Sequence, residues 1–446
     1  MKDKIALHNK AWIAAIDVLL YVAALGLAFL MRYQGDIPLL NMEQTLKMLP
    51  LFIICYLLLA ATYNLFSEYQ KYDDTLASLV CALALAAVIN VALAFIFRQF
   101  AVPRTIFLIS TVLQIILIGG WRYIVWRKSL LVGRIQGVLV VGYPAEIEEL
   151  QDNITQNMSQ GLHLAHRIVL DDEDGFERQW QRFTRGQRGA EVDVIIICST
   201  VPWEHRQILF EYAIEQGKQI MMVPGIYELL LQNARLISAG DAPVIQLQGV
   251  LAPPYLTAVK RLMDIVISLP LLILLSPVML IIALLIKLDS PGQVFYMQPR
   301  LGLHDREIKI CKFRTMVKDA EIISGPILSS ENDPRITRVG HLLRRTRLDE
   351  IPQFWNVLKG DMSLVGPRPE REHFIVQYSE NIPEFAWRTN IKGGITGLAQ
   401  VEGKYSTQPE NKLKYDLFYA QNQSLAGDLV ILIRTAKVLF LRDKAD

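Results

Sequence analysis

LMDIVISLPLLILLSPVMLIIALLIKL, residues Leu262 to Leu288, is long and apolar enough to cross a membrane, yet it carries Ser276-Pro277 at its middle. Proline removes a backbone donor and disfavours helix in the residue before it. A break there leaves arms of about 14 and 10 residues, each roughly 15–20 Å long at about 1.5 Å per residue. Neither arm crosses about 30 Å of hydrocarbon. Lys260 and Arg261 precede the run and Lys287 lies at its end, so positive charge favours the inner face at both ends. The stretch therefore predicts a re-entrant membrane hairpin over residues 262–288, broken at Ser276 and Pro277, that dips into one leaflet and returns. The Ser276 hydroxyl is then a candidate donor to a carbonyl freed at the break. The simpler alternative is a kinked crossing helix, which would leave everything after Leu288 on the far side of the membrane from the α/β region before it.

The chain on either side is that of a membrane protein. Of 446 residues, 52% are hydrophobic and only 20% charged, a balance that soluble domains rarely show. The net charge of +2 exerts no global pull toward nucleic acid, so no nucleic-acid partner is expected. Four further apolar runs occupy roughly Trp12 to Met31, Met48 to Phe66, Leu76 to Phe97 and Thr105 to Trp126, each near the ~20 residues of a span. Lys2, Lys4 and Lys10 precede the first, and Arg122, Arg127, Lys128 and Arg134 follow the last. That bias puts both ends of a four-helix transmembrane domain, residues 1–134, in the cytoplasm. It is modest, because Arg32, Lys47, Arg98 and Arg104 lie on the other side. No small-residue cleavage site follows the first run, which reads as a retained helix. Asp17 lies inside it, where an ionisable group is costly, and a bundle-facing structural role is expected. Cys55, Cys81, Cys198 and Cys311 lie far apart and read as packing residues.

Residues 135–250 change to a soluble α/β pattern. GVLVVG (Gly137 to Gly142), VDVIIICS (Val192 to Ser199) and KQIMMVP (Lys218 to Pro224) are short buried-strand runs with helical stretches between them, which predicts a small doubly wound, Rossmann-like sheet. GYPAEI after the first strand keeps one glycine of a dinucleotide fingerprint, so a scaffolding or regulatory role is favoured over nucleotide binding. HLAH, His163 to His166, offers two imidazoles on an expected helix without a third ligand, and DDED, Asp171 to Asp174, reads as a solvated loop. Paired prolines in LAPPYL, Leu251 to Leu256, mark the linker to residues 251–446.

The chemistry lies after the hairpin. KFRTM (Lys312 to Met316) sets Lys312 and Arg314 on one face of a strand and Phe313 on the other. GPRPE (Gly366 to Glu370) fixes Arg368 between Pro367 and Pro369. Arginine forks suit phosphate oxygens, and the concentration of cations reads as a site for a phosphorylated ligand. Arg335, Arg338 and Arg345 read instead as a solvated or headgroup-facing set. In RRTRLDEIPQ, Thr346 followed by Asp349 resembles a capping box at the start of a helix running toward Gly360, with Pro352 lying awkwardly deep for such a start. Helix start and arginines both favour charged Asp349 and Glu350. An ionised carboxylate is a usable nucleophile toward phosphorus, and two acids with a diphosphate suit Mg²⁺. Adjacent helical residues diverge by about 100°, which favours different roles for the two.

KFRTM, LDEIPQFWNVLKGDMSLVGPRPE and GITGLAQVEG (Gly394 to Gly403) together resemble the signature blocks of the bacterial sugar transferases, the monotopic polyprenyl-phosphate phosphoglycosyl transferases. The resemblance runs from about Lys260 to the C-terminus, and the four spans with a degenerate nucleotide fold resemble the front of the family's large members. It implies a mainly helical catalytic domain on the cytoplasmic face of the bacterial inner membrane. It implies transfer of a sugar 1-phosphate from a UDP-sugar to undecaprenyl phosphate with release of UMP, at the start of exopolysaccharide, capsule or O-antigen synthesis. Asp349 would attack the β-phosphorus to give a phosphosugar-aspartate, with Glu350 assisting and Mg²⁺ held nearby by the pair. Lys312 and Arg368 would hold phosphates, Arg344 would meet the lipid phosphate, and Pro367 and Pro369 would shape the nucleotide pocket. Glucose or galactose is the sugar that family membership favours, and a homodimer is the expected assembly. Two rival classes need other features. A membrane-anchored nucleotide-sugar dehydratase needs a glycine-rich fingerprint and a YxxxK pair, neither of which lies between Gly137 and Val250. A non-enzymatic assembly protein would make Asp349 dispensable.

Overall fold

The computed structural model describes residues 2–66, 72–99, 102–132, 136–157, 162–170, 175–186, 188–247, 253–317, 333–403 and 407–438. Arg134, the DDED run and the first two residues of LAPPYL lie outside the described residues. The chain forms two compact units, Met1–Pro224 and Gly225–Asp446, so the division falls ahead of the expected linker.

The first unit opens with helices α1 (Lys2–Tyr33), α2 (Leu39–Thr62), α3 (Tyr72–Ile96) and α4 (Arg104–Val132). Each holds a segment long and apolar enough to cross a membrane. α1 packs on α2 and α4, and α3 on α2 and α4. Asp17 is completely buried among them. It receives Arg122 of α4 as an ion pair and the Tyr56 hydroxyl at 3.1 Å, while Arg122 also donates to Leu65 O. The structural role expected for Asp17 thus has a partner. Arg122, counted above among the flanking charges, is buried inside the helix packing.

The rest of this unit is a four-stranded parallel sheet in the order β2-β1-β3-β4, made of β1 (Gln136–Gly142), β2 (Leu162–Val169), β3 (Val194–Ile197) and β4 (Gln219–Met222). Helices α5 (Pro144–Asn157), α6 (Gly175–Arg185) and α7 (Trp203–Glu215) connect and flank it. β1 and β3 are buried over nearly their whole length, as the unbroken runs VLVV and VIII require. His163 and His166 sit on strand β2, which corrects the expected helix; alternating small and apolar neighbours pair with β1 in parallel. At the carboxyl ends of β1 and β3, where strand order reverses, Glu146 of α5 accepts from Ser199 at 2.8 Å and from Thr200. A carboxylate of the chain itself fills the position where a doubly wound sheet usually receives a ligand.

The second unit begins with α8 (Ile226–Leu231), an exposed antiparallel hairpin of β5 (Arg235–Ala239) and β6 (Ala242–Gln246), and α9 (Pro254–Asp289). α9 is one helix of 36 residues that passes through Ser276 and Pro277 without interruption. The expected break between two arms is therefore not present in the secondary structure. The reason is local. Pro277 has no N–H for Ile273 O, its i−4 acceptor, and the Ser276 hydroxyl donates to that carbonyl at 2.7 Å instead. Both ends of α9 are tied to the same unit. Near its start Arg261 donates to Leu358 O at 2.6 Å, and Asp264 accepts from Ser363 Oγ at 3.0 Å and Leu364 N at 2.9 Å. At its end Asp289 accepts from Val339 N at 3.1 Å. Between them Ile273, Leu274, Leu280, Ile281 and Leu284 are largely exposed, an apolar surface of the kind that marks a membrane contact.

After α9 come the antiparallel ribbon β7 (Phe295–Leu301) and β8 (Glu307–Phe313), then α10 (Arg338–Thr346), α11 (Gln353–Lys359) and β9 (Ser363–Val365). α12 (Glu372–Ser379), a 3₁₀ segment (Pro383–Asn390), β10 (Gly394–Thr396), α13 (Leu398–Glu402), α14 (Pro409–Gln421) and α15 (Leu425–Val438) complete it. β9 and β10 pair in parallel. Ile308, Val357, Leu364, Val401 and Ile431 form one core; Ile282 and Ile286 of α9 join Phe313, Leu343 and Ile351 in another. All four cysteines are free.

Candidate active site

Three short elements converge on the acid pair. Thr337 caps α10, its hydroxyl accepting from Gly340 N at 3.0 Å, and the helix stops at Arg347, whose backbone is left-handed at φ 54°. One 3₁₀ turn, Leu348–Glu350, follows, and α11 begins after Pro352. The capping box expected at Thr346 does not form: Thr346 ends α10 and its hydroxyl returns to Leu342 O at 2.8 Å. Pro352 thereby occupies the N-cap of α11, where a missing N–H costs nothing, and the acids stand just ahead of a helix start.

The second element is β8. Asn356 of α11 accepts from Cys311 N at 2.9 Å and donates to Lys309 O at 2.7 Å, which docks the strand edge against the helix. Lys312 then meets Glu350 at 3.0 Å, while Phe313 points into the core. The third is the GPRPE loop. Gly366 N donates to Thr396 O, Gly394 N to Pro367 O and Leu301 N to Glu370 O, each at 2.9 Å. Arg300 donates to Pro369 O at 3.1 Å and to Glu370 at 3.0 Å, and Arg388 donates to Arg368 O at 3.1 Å. The fixed pose expected of Arg368 thus rests on bonds at nearly every residue of the loop as well as on its prolines. Its guanidinium reaches both oxygens of Glu350, one at 3.2 Å.

Glu350 is thereby saturated with cations, and Asp349 is not. Asp349 is buried and accepts no hydrogen bond from the described residues. Burial, and then the neighbouring Glu350 charge, push its carboxyl up to about 6, against the opposing pull of Lys312, Arg344 and Arg368. Burial also works against ionised Glu350, but Arg368 and Lys312 outweigh it and hold that carboxyl well below the usual range. The expectation that the surroundings favour charge holds for Glu350 and is corrected for Asp349, because the nearby cations are already spent on its neighbour. A carboxylate with no donor among the described residues, ionised at neutral pH and ringed by cations, is chemically suited to attack an electrophile that itself carries negative charge.

The structure brings Lys312, Arg344, Asp349, Glu350 and Arg368 together. Arg344 donates from Nε to Thr315 Oγ1 at 2.9 Å, and its charge acts on Asp349. Pro367 and Pro369 line a cleft with Leu301, Ile391 and Gly393. Arg314, expected on the ligand side with Lys312, is turned elsewhere: it donates to Ser290 O at 2.7 Å and Pro291 O at 3.1 Å, locking the end of α9. Strand alternation failed there because β8 ends at Phe313. Ser276 and Pro277 lie far along α9 and serve its backbone. Arg335 pairs with Asp333, while Arg338 and Arg345 are exposed, as read. Arg300, Asn356 and Arg388 were missed; polar residues three apart in QFWN were the one available signal for Asn356.

A family model described as bacterial sugar transferase matches residues 255–442. An exopolysaccharide production protein PSS of Rhizobium leguminosarum bv. phaseoli is 42% identical over 42% of this chain and 96% of its own length. The chain belongs to the bacterial sugar transferase family. Two longer relatives match the same region. A UDP-N-acetylgalactosamine-undecaprenyl-phosphate N-acetylgalactosaminephosphotransferase of Aeromonas hydrophila is 42% identical over 44% of this chain and 46% of its own. A UDP-glucose:undecaprenyl-phosphate glucose-1-phosphate transferase of Escherichia coli K12 is 37% identical over 48% of this chain and 47% of its own. The chain spans about half the length of these two relatives. The matched region holds the whole cluster around Asp349, so the family's shared part and the site coincide.

Proposed function

We propose that this protein transfers a hexose 1-phosphate from a UDP-sugar to undecaprenyl phosphate, in two displacements at one site. In the first, an Asp349 carboxylate oxygen forms a bond to the β-phosphorus as the bond to the bridging oxygen breaks, and UMP leaves. In the second, an oxygen of the lipid phosphate attacks the same phosphorus, and the Asp349 carboxylate is released. The observation that carries this reading is the split between the two acids: Glu350 clamped by Lys312 and Arg368, and Asp349 beside it with no hydrogen-bond donor among the described residues. Glu350 would hold the two cations toward the diphosphate, and Arg344 would meet the lipid phosphate. Covalent catalysis means the anionic diphosphate donor and the anionic lipid phosphate need never be bound together.

Mg²⁺ is part of the proposal. Asp349 is the carboxylate with free oxygens, and a hard ion that takes one or two carboxylates plus substrate phosphates fits it. Glu350 would join only by yielding contacts with Lys312 or Arg368. The ion would neutralise charge on the diphosphate.

The setting is proposed to be the bacterial inner membrane, at the start of exopolysaccharide, capsule or O-antigen assembly. Residues 1–134 would be a four-helix transmembrane bundle, the parallel sheet a Rossmann-like cytoplasmic domain, and the protein a homodimer. α9 would bend at Ser276-Pro277 while keeping its helical bonding, and so dip into the cytoplasmic leaflet and return. Support comes from its two ends, Arg261 and Asp289, both bonded to the same catalytic unit, which a helix with ends on opposite faces could not easily provide. The test is incubation of purified protein with UDP-glucose, UDP-galactose and UDP-N-acetylgalactosamine while UMP is followed. Stoichiometric UMP release without lipid, together with a phosphosugar adduct mapped to Asp349, is expected. Absence of both would remove the proposal.

A further inference from the structure

Pro369 carries no N–H, so the peptide that follows Arg368 can be held by hydrogen bonding only at its carbonyl oxygen. The donor to that oxygen is Arg388, whose Nη2 reaches Arg368 O at 3.1 Å. The same Nη2 donates to Asp416 at 2.8 Å. Glu370 Oε1 stands 3.8 Å from the other arm of the fork, near enough for charge attraction and too far for a hydrogen bond. The guanidinium also lies over the Phe385 ring, 4.8 Å from its centre.

Asp416 is anchored by its helix. It is 1% exposed, on the face of α14 that it shares with Leu413 and Leu417, and those two pack with Phe385 and with Ile375 of α12 in one apolar cluster. Buried so, it meets no substrate and acts through Arg388. Stability is not a sufficient reason for a charged pair at this depth. Both groups have left water, and an apolar pair of the same volume holds a core as well or better. What an apolar pair cannot supply is a donor to Arg368 O. Arg368 in turn spans from that carbonyl to Glu350, which its guanidinium grips at the other end.

We propose that Asp416 is a positioning residue of the transfer reaction: it orients Arg388, Arg388 fixes the Arg368 carbonyl, and the Arg368 guanidinium is thereby aimed at Glu350 and the donor phosphates. This rests on the transferase reading above, in which Arg368 holds phosphate, and adds to it a buried relay that runs from α14 to the acid pair. A misaimed Arg368 still attracts the donor by its charge. It no longer meets the charge that builds up as the phosphorus–oxygen bond breaks, so the loss should fall on rate and not on affinity.

The experiment follows the first burst of UMP release by the full chain in nanodiscs against UDP-sugar concentration, with whichever of the UDP-sugars above is turned over, beside denaturant melts. Asp416→Ala should lower the burst rate at saturation by about tenfold or more, the scale of a small misplacement, and leave the half-saturating concentration within about threefold. Asp416→Asn keeps an oxygen for Arg388 Nη2 and should recover the rate to within about threefold of the unmodified protein. Should Asp416→Ala not fold, Arg388→Met combined with Asp416→Leu replaces both charges by apolar bulk; that protein should melt like the unmodified one and still lose about tenfold in burst rate. Full rate at saturation in a folded Asp416→Ala, or in the folded double replacement, overturns the assignment. So does a loss carried by the half-saturating concentration alone, or an Asp416→Asn protein no faster than Asp416→Ala. An unmodified protein that releases UMP from none of the UDP-sugars removes the transferase reading itself, and this assignment with it.

Discussion

Asp349 and Glu350 are adjacent in the chain and opposite in chemistry: two cations hold Glu350 charged, and burial beside Glu350 makes charge costly for Asp349. The site therefore carries one carboxylate as a fixed electrostatic post and keeps the next one reactive.

That arrangement has a cost in stability. The Asp349 carboxyl titrates near 6 in the fold against 3.8 ordinarily, so its ionised form is disfavoured in the folded state. The penalty is fully present above about pH 6 and gone below about 4. Asp349→Asn should abolish UMP release and yet raise stability at pH 7.5 by roughly 1–3 kcal/mol. Denaturant melts of both proteins at pH 7.5 and 4.5 check this, with the gap expected to shrink to about a third at the lower pH.

The same titration predicts the pH profile. Single-turnover UMP release should be flat above about pH 7 and fall about tenfold per unit below 6, as the nucleophile takes up its proton. Replacing Glu350 by Gln removes the like charge beside Asp349 and should move the acidic limb to lower pH, whatever happens to the absolute rate. Rapid-quench profiles of the two proteins, compared in position and not height, decide it.

Gly366 and Gly394 bring the GPRPE and GITG segments into contact backbone to backbone. A Cβ on Gly394 would lie 2.1 Å from Gly366 N, and neither main chain can yield because both are in the β9–β10 pairing region. Gly394→Ala should destabilise by at least about 1–3 kcal/mol and depress UMP release by displacing Arg368. Gly120→Ala, where a Cβ meets open space, is the control expected to do neither in a thermal melt and UMP assay.

In α9 the Ser276 hydroxyl substitutes for the donor that Pro277 lacks. Ser276→Ala alone should orphan Ile273 O and cost about 1–3 kcal/mol. With Pro277→Ala added, the new backbone N–H should recover most of that loss, a coupling that a double-mutant cycle of unfolding in nanodiscs would read directly.

Legibility in the sequence followed how local each cause is. The apolar runs and the VLVV and VIII strands were visible because burial on both faces leaves no other composition. The acid pair, Lys312 and Arg368 were visible because each sits in a dense short motif. What was hidden depends on partners distant in sequence: Arg122 looked like a flanking charge until Asp17 was placed beside it, and Arg388 gave no local sign of standing under Arg368. Arg314 and the Thr346 cap misled because a strand end and a left-handed residue at Arg347 interrupt the periodicities that the reading assumed. Proline 277 was read as a break because the compensating hydroxyl next to it was weighed as a consequence of breaking and not as a means of staying helical.

The Asp17–Arg122 pair also bears on how the chain is made. Its members are 105 residues apart, and a ribosome adding about 5–20 residues per second needs roughly 5–20 s to supply the arginine after the aspartate. If α1 inserts as a membrane helix, it holds for that interval an acid without the Arg122 counterion, a cost that favours waiting at the water boundary until the fourth helix emerges. Assembly of this region would then be ordered, the fourth helix completing the burial of the first.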